Sequence, residues 1–219
     1  MIVGMDKTYE VAEKLYGIFR KEVETREPPK TVWLSDTVYC GRKKIFAMKG
    51  MAQHFTEQAM SKIWLGIVVG KALQELGIAS EVEVQYRGIK GRIDVLLETN
   101  EPMEIKTATN LYTTASKYSE SHVEQLSRYC LATGSETGVL FYYVPGVKMS
   151  DMPSYRYRFD LGRVREITDG RIDMLLRAAS AEDPFILPAT WHSENFNNWE
   201  CRQCQFLTIC RHGGGQAYI

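Results

Sequence analysis

The chain has 219 residues, 44% hydrophobic and 25% charged, with 27 basic residues balancing 27 acidic ones. This is the composition of an ordinary globular protein built as one large domain. Zero net charge argues against a protein that coats nucleic acid by bulk electrostatics, and leaves room for a local basic groove. The longest apolar run, IWLGIVVG at residues 63–70, lies between Lys62 and Lys71 and is too short for a bilayer. The opening MIVGMDKTYE lacks the charged-then-apolar pattern of a signal peptide. The expectation is a cytoplasmic protein with no membrane partner, whose five cysteines sit in a reducing compartment where clustering favours metal over disulfides.

From residue 6 to about residue 24, Val11, Leu15, Ile18, Phe19 and Val23 recur at helical spacing, and REPPK then breaks the helix. SDTVYCGRKKIF reads as a capped helix carrying Cys40, and residues 56–76 as a longer helix ending at Gly77. EVEVQYRGIKGRIDVLLETNEPMEIKTA alternates and breaks at glycine and Asn-Glu-Pro, the pattern of three strands in a meander. A helix over about 114–133 closes at Gly134. TGVLFYYV is a strand apolar on both faces, YRYRF an edge strand, and RVREITDGRIDMLLRAA a further helix weakened by Gly170. From Pro184 the chain reads as an irregular tail. The order predicts an α/β fold with a mixed central sheet flanked by helices. It divides into a helical part (1–80), a core (81–183) and a tail (184–219) of a single domain.

The stretch GRIDVLLETNEPMEIKT places Asp94 in an apolar strand and, ten residues on, Glu104 and Lys106 around Ile105. Residues two apart on a strand share a side, so Glu104 and Lys106 face one way and Ile105 the other, toward the core. If the two strands pair, both carboxylates meet at one end of the sheet. Two hard oxygen donors suit Mg²⁺ or Mn²⁺, and a lysine beside them can orient water or stabilise charge on a phosphate. A turn aspartate and a surface ion pair would leave the same letters. Gln125 and Tyr129 stand four apart on one helical face, with His122 one turn earlier. At the other end, WECRQCQFLTICRH sets Cys201, Cys204 and Cys210 in CxxC-x5-C spacing, one thiolate short of the usual four. Cys40 and Cys130 remain, and Cys130, on a helix, reads as a core residue.

Together, G-x-x-D, a short hairpin spacing and E-x-K resemble the PD-(D/E)xK nuclease superfamily. Q-x3-Y on the next helix resembles its RecB-like branch. One cysteine upstream of the core and three at the end resemble the CRISPR-associated RecB-like exonucleases of the adaptation stage, over about residues 33–211. That resemblance implies a restriction-endonuclease-like core in a single RecB-like nuclease domain. Asp94, Glu104, Lys106, Gln125 and Tyr129 are then catalytic, with metal held by Asp94, Glu104 and the Ile105 carbonyl. It implies an iron–sulfur cluster on Cys40, Cys201, Cys204 and Cys210. [4Fe-4S] is favoured, [2Fe-2S] takes the same four ligands, and zinc is the alternative. It implies 5′ to 3′ exonuclease action on single-stranded DNA, a role in processing spacer precursors with CRISPR integrase proteins, a prokaryotic host, and leaves homo-oligomerisation open. There are two departures. Gly41 follows Cys40 where proline is usual, and Gly70 stands where G-x-x-x-H would carry a histidine, a role that His54 does not take over. Arg42, Lys43 and Lys44 are candidates to hold phosphates, or a solvated helix face. The rival reading is an iron–sulfur DNA-binding or redox-sensing subunit with a weak nuclease site.

Overall fold

The computed structural model describes residues 17, 21, 29–51, 57–75, 77, 81–108, 110, 118–191, 199–202 and 204–212. Of the helix expected over 6–24 only Gly17 and Lys21 are among them, both helical, and His54 lies outside them. The described elements are helix α1 (Gly41–Met48), helix α2 (Glu57–Glu75), strands β1 (Val82–Tyr86), β2 (Ile89–Ile93), β3 (Val95–Leu96) and β4 (Pro102–Thr107), helix α3 (Tyr118–Thr133), strands β5 (Thr137–Tyr143) and β6 (Ser154–Arg158), helix α4 (Leu161–Ser180), and short helices α5 (Trp199–Arg202) and α6 (Leu207–His212). Among them, no helix is long and apolar enough to cross a membrane.

The expected meander is two units rather than one. β1 and β2 form an antiparallel hairpin through Arg87 and Gly88, both at positive φ (50° and 77°), the mirror-image turn that suits strand twist. At Asp94 the chain bends and passes into a separate four-stranded sheet of order β3-β4-β5-β6. β3 pairs antiparallel with β4, β4 runs parallel to β5, and β6 closes the edge antiparallel to β5. The mixed sheet flanked by helices is therefore as expected. Asp94 stands at a strand junction rather than within a strand.

Helix α3 provides the parallel crossover between β4 and β5. It buries Leu126 and Cys130 on Leu140, Tyr142 and Val144. Gly134, at φ 72°, ends it, and the Ser135 N–H returns to the Cys130 carbonyl at 3.0 Å. Helix α4 is capped by Asp160, whose carboxylate accepts from the N–H groups of Gly162 and Arg163. Its buried Thr168, Ile172, Leu175 and Ala178 recur every three to four residues, and Gly170 stays within it without breaking it.

The helix expected to carry Cys40 is a single 3-10 turn, Leu34–Thr37, followed by α1, with Cys40 as the residue just before α1. The tail is less irregular than expected: a 3-10 turn at Pro184–Ile186, then α5 and α6. It packs on α1 through Phe46, which lies 5.1 Å from the Phe206 ring and 6.0 Å from the Phe185 ring.

Candidate active site

Strand β4 carries Glu104, Ile105 and Lys106 of the candidate site. Glu104 and Lys106 share a face, and the Lys106 ammonium donates to Glu104 Oε1 at 2.6 Å. At Glu104 that face is covered. Glu104 is 4% exposed beneath α3, whereas Ile105, expected in the core, is half-buried and lines the cleft. The reason is the crossover: α3 lies over the Glu104 face of the sheet and brings Gln125 and Tyr129 down on it. The other Glu104 oxygen, Oε2, is buried without a hydrogen-bond partner among the described residues. Burial raises the Glu104 carboxyl from its ordinary 4.5 to about 7, against the pull of Lys106. Lys106 is itself held protonated well above its usual range, because attraction from Glu104 outweighs its own burial.

Asp94 reaches the same point from the β2–β3 junction. Its carboxylate accepts the Ile105 N–H at 2.7 Å, which pins it beside β4, while burial raises its pKa. Asp94 is thus fixed beside β4 from a strand junction, not from a strand paired with β4 as expected. From α3, Gln125 Oε1 accepts from Lys106 at 2.9 Å, and Gln125 Nε2 donates to the Tyr129 hydroxyl at 2.9 Å. Gly91 gives the Tyr129 ring its place: a Cβ there would come within 3.2 Å of it. Glu104, Lys106, Gln125 and Tyr129 therefore form one hydrogen-bonded chain, with Asp94 held beside it by the Ile105 N–H.

Tyr39 is the member that the sequence did not single out. Its hydroxyl donates to Gln125 Oε1 at 3.0 Å, from a position 86 residues away in the chain. No pattern in YC-G-R-K signals that contact. The only hint is that it adjoins Cys40.

A cleft of ≈ 570 Å³ opens onto this group, lined by Asp94, Ile105, Lys106, Thr107 and His122 and by α2 residues that include Gly66 and Gly70. His122 is therefore a cleft residue. Its Nδ1 is 3.0 Å from the Tyr142 hydroxyl, and burial lowers its pKa to about 4, so the imidazole is neutral at neutral pH. A Cβ on Gly70 would meet no atom within 4 Å, and one on Gly66 only the Thr107 hydroxyl at 3.8 Å. Close packing is therefore not what makes these positions glycine. Among the described residues no group of three or more His, Cys, Asp or Glu is set to hold a metal ion. Glu104, with its orphaned buried oxygen, and Asp94 beside it nonetheless supply the hard donors that Mg²⁺ or Mn²⁺ takes.

On the far side of α1, Cys40, Cys201, Cys204 and Cys210 line one cavity together with Phe46, Phe206 and Leu207. Burial pushes the Cys40 thiol up to about 12 and the Cys201 thiol up to about 11, and raises that of Cys204. The Cys40 thiol donates to the Ala189 carbonyl at 3.4 Å, and Arg42 donates to the Cys210 sulfur at 3.4 Å. Thiolates are the ligands that an iron–sulfur group or zinc takes, but the cavity also carries Arg42, Lys43 and Glu200, and among the described residues these cysteines do not form a group set to hold a metal ion. Cys130 stands elsewhere, in the α3–β5 core. The basic run is not a free phosphate-binding face. Arg42 is tied to the Leu187 carbonyl and stacked over Phe185, Lys43 lines the cysteine cavity, and Lys44 pairs with Asp36 at 2.8 Å.

No protein-family model matches the chain, and no curated protein matches it in sequence. Among solved structures it is similar to SSO0001, with a TM-score of 0.53 and 21% identity over 94% of this chain and 96% of that one. It is also similar to an alkaline exonuclease, LHK-Exo from Laribacter hongkongensis, with a TM-score of 0.50 and 17% identity over 74% of this chain and 93% of that one. The chain resembles these two structures in fold. At these identities the likeness speaks for the fold alone.

Proposed function

We propose that the protein is a metal-dependent DNA exonuclease that hydrolyses phosphodiester bonds in the cleft between α2 and β4. The observation that carries this reading is the hydrogen-bonded chain of Glu104, Lys106, Gln125 and Tyr129, with Asp94 bound to the Ile105 N–H beside it, which meets the cleft at Asp94, Ile105 and Lys106. The fold shared with an alkaline exonuclease supports it. A cation held by Asp94, Glu104 and the Ile105 carbonyl would supply Lewis-acid polarisation of the scissile phosphate. The chain's own residues do the rest. Ile105 N–H fixes the Asp94 carboxylate. Lys106 presents a permanent positive charge where phosphate charge builds. Gln125, held by Tyr39 and Tyr129, keeps the lysine from collapsing wholly onto Glu104.

The proposal extends to single-stranded DNA, 5′ to 3′ polarity, an iron–sulfur cluster on the four cysteines and a place beside the CRISPR integrase proteins. The support for these is the cysteine set around one cavity and the family resemblance of the motifs. The test is degradation of a 5′- or 3′-labelled single strand with and without Mn²⁺. Metal-dependent loss of label from one end, abolished by Asp94→Ala and Glu104→Ala, is expected; an inert wild type would overturn the reading. A visible spectrum of the purified protein separates iron from zinc. The second reading, a DNA-binding or redox-sensing subunit with a weak site, is favoured by Gly70, which brings no histidine ligand to the cleft from α2. It predicts strand binding without turnover.

A further inference from the structure

The sheet continues past the cleft as a row of rings. In register, Glu104 stands beside Leu140, and Leu140 opposite Tyr155; Lys106 stands beside Tyr142. Residues in register on neighbouring strands point to the same face, so Tyr155 lies on the Glu104 face, two strands away. That is ~10 Å at the usual strand spacing, or about three stacked-base rises of 3.4 Å. The gap is bridged by aromatic contact. The His122 ring, in the cleft, is 5.8 Å from the Tyr142 ring, Tyr142 is 6.3 Å from Tyr155, Tyr155 is 6.4 Å from Tyr157, and Tyr157 is 6.2 Å from Phe159. Helix α3 covers the inner part of the row, and Tyr142 is 1% exposed. At the sheet edge the cover ends, and Tyr155 is 39% exposed. An aromatic ring left open at an edge strand contributes little to the core.

We propose that Tyr155 is a stacking platform for a base of single-stranded DNA whose scissile phosphate lies in the cleft. Only a single strand can offer an unpaired base face to a ring at this site, so Tyr155 selects single strands over duplex. Arg156 and Arg158 alternate with the rings, so they are exposed on the opposite face of this edge strand. Arg156 also pairs with Glu101 at 3.0 Å, fixing the strand edge to the β3–β4 turn.

This inference rests on the nuclease reading for its substrate, and its test separates the two. Binding is measured by anisotropy of a fluorescein-labelled oligothymidine, and of a duplex of the same length, in EDTA so that nothing is cleaved. Tyr155→Ala should weaken single-strand binding by about 5- to 150-fold, the range for losing one base–aromatic stack, and leave duplex binding unchanged. Tyr155→Trp should retain it. Tyr155→Leu keeps the apolar bulk without a π face, so a packing role would spare it and a stacking role would not. Unchanged single-strand affinity in folded Tyr155→Leu, or equal losses for strand and duplex, overturns the platform. Cleavage by the wild type with Mn²⁺ is scored separately. Turnover with unaltered Tyr155→Leu binding sinks the platform and leaves the nuclease. Weakened binding in a protein that never cleaves keeps the platform and removes the nuclease.

Discussion

Lys106 makes two short hydrogen bonds, to Glu104 and to Gln125, and neither secures the fold. Removing it leaves Glu104 buried without its cation, but that carboxyl already titrates near 7 and can take a proton. Lys106→Ala is therefore expected to stay folded while losing about 10²- to 10³-fold in turnover, the usual cost of one electrostatic donor to the reacting group. Circular dichroism and a labelled-strand assay on the same sample check both halves, and full activity would remove Lys106 from the chemistry. The same carboxyl sets a pH dependence. Its folded pKa is raised, so the unfolded chain releases the proton first as pH climbs. Stability of the metal-free protein should be highest below about 4.5, as far as Glu104 is concerned, and fall as pH rises through about 7. Glu104→Gln should flatten that slope in thermal melts. An identical slope in the variant would mean that another group controls it.

Between the elements, α3 is the part that must be placed correctly, since it brings Gln125 and Tyr129 over β4. A buried charge group holds it. Glu124 accepts from Arg128 and Arg171, each at 2.7 Å; Arg128 also reaches the Thr37 hydroxyl, and Arg171 the Thr37 carbonyl. Arg128 is only 2% exposed. Glu124→Ala would leave two guanidinium groups without their anion, a loss of about 3–5 kcal/mol, visible as a lower denaturant midpoint. A change under 1 kcal/mol, the range of exposed ion pairs, would show that solvent satisfies both arginines. Helix α2 offers the opposite case, a position with room. At Gly70 an added side chain meets nothing, and leaving glycine gains up to about 1 kcal/mol of helix propensity. Gly70→His should fold and bind Mn²⁺ more tightly, as read by titration. Unchanged affinity would place that helix face away from the metal. Element type was legible wherever one period dominated, as in β5, β6, α3 and α4. What the letters hid was decided by contacts across the chain. The bend at Asp94 divides one apparent meander between two sheets, and the crossover turns Glu104 rather than Ile105 inward. Tyr39 reaches Gln125 only because the 3-10 turn at Leu34–Thr37 aims it there.

At the scale of the whole chain, the two ends of the cysteine set are joined through packing that needs no metal. The Cys40 N–H donates to Glu200, 160 positions away, at 3.2 Å. Arg42 grips the Leu187 carbonyl and the Cys210 sulfur, and Phe46, Phe206 and Cys210 form a buried cluster. The tail is thus already folded against α1, and the proposed cluster would fasten it there. A cross-link closing a loop of more than a hundred residues limits the unfolded ensemble, worth about 4–5 kcal/mol on the disulfide analogy. Two consequences follow for substitutions far apart in sequence. Cys40→Ala should bleach the protein and lower its melting temperature as much as Cys201→Ala does, since either change opens the same closure. Cys130→Ala should keep its colour and lose at most the packing of one buried sulfur, because Cys130 sits in the α3–β5 core and not at the cavity. Absorbance near 400 nm and a thermal melt on all three variants decide the matter. Bleaching by Cys130→Ala, or a Cys40→Ala protein as coloured and as stable as wild type, would mean that the four-cysteine set is wrong.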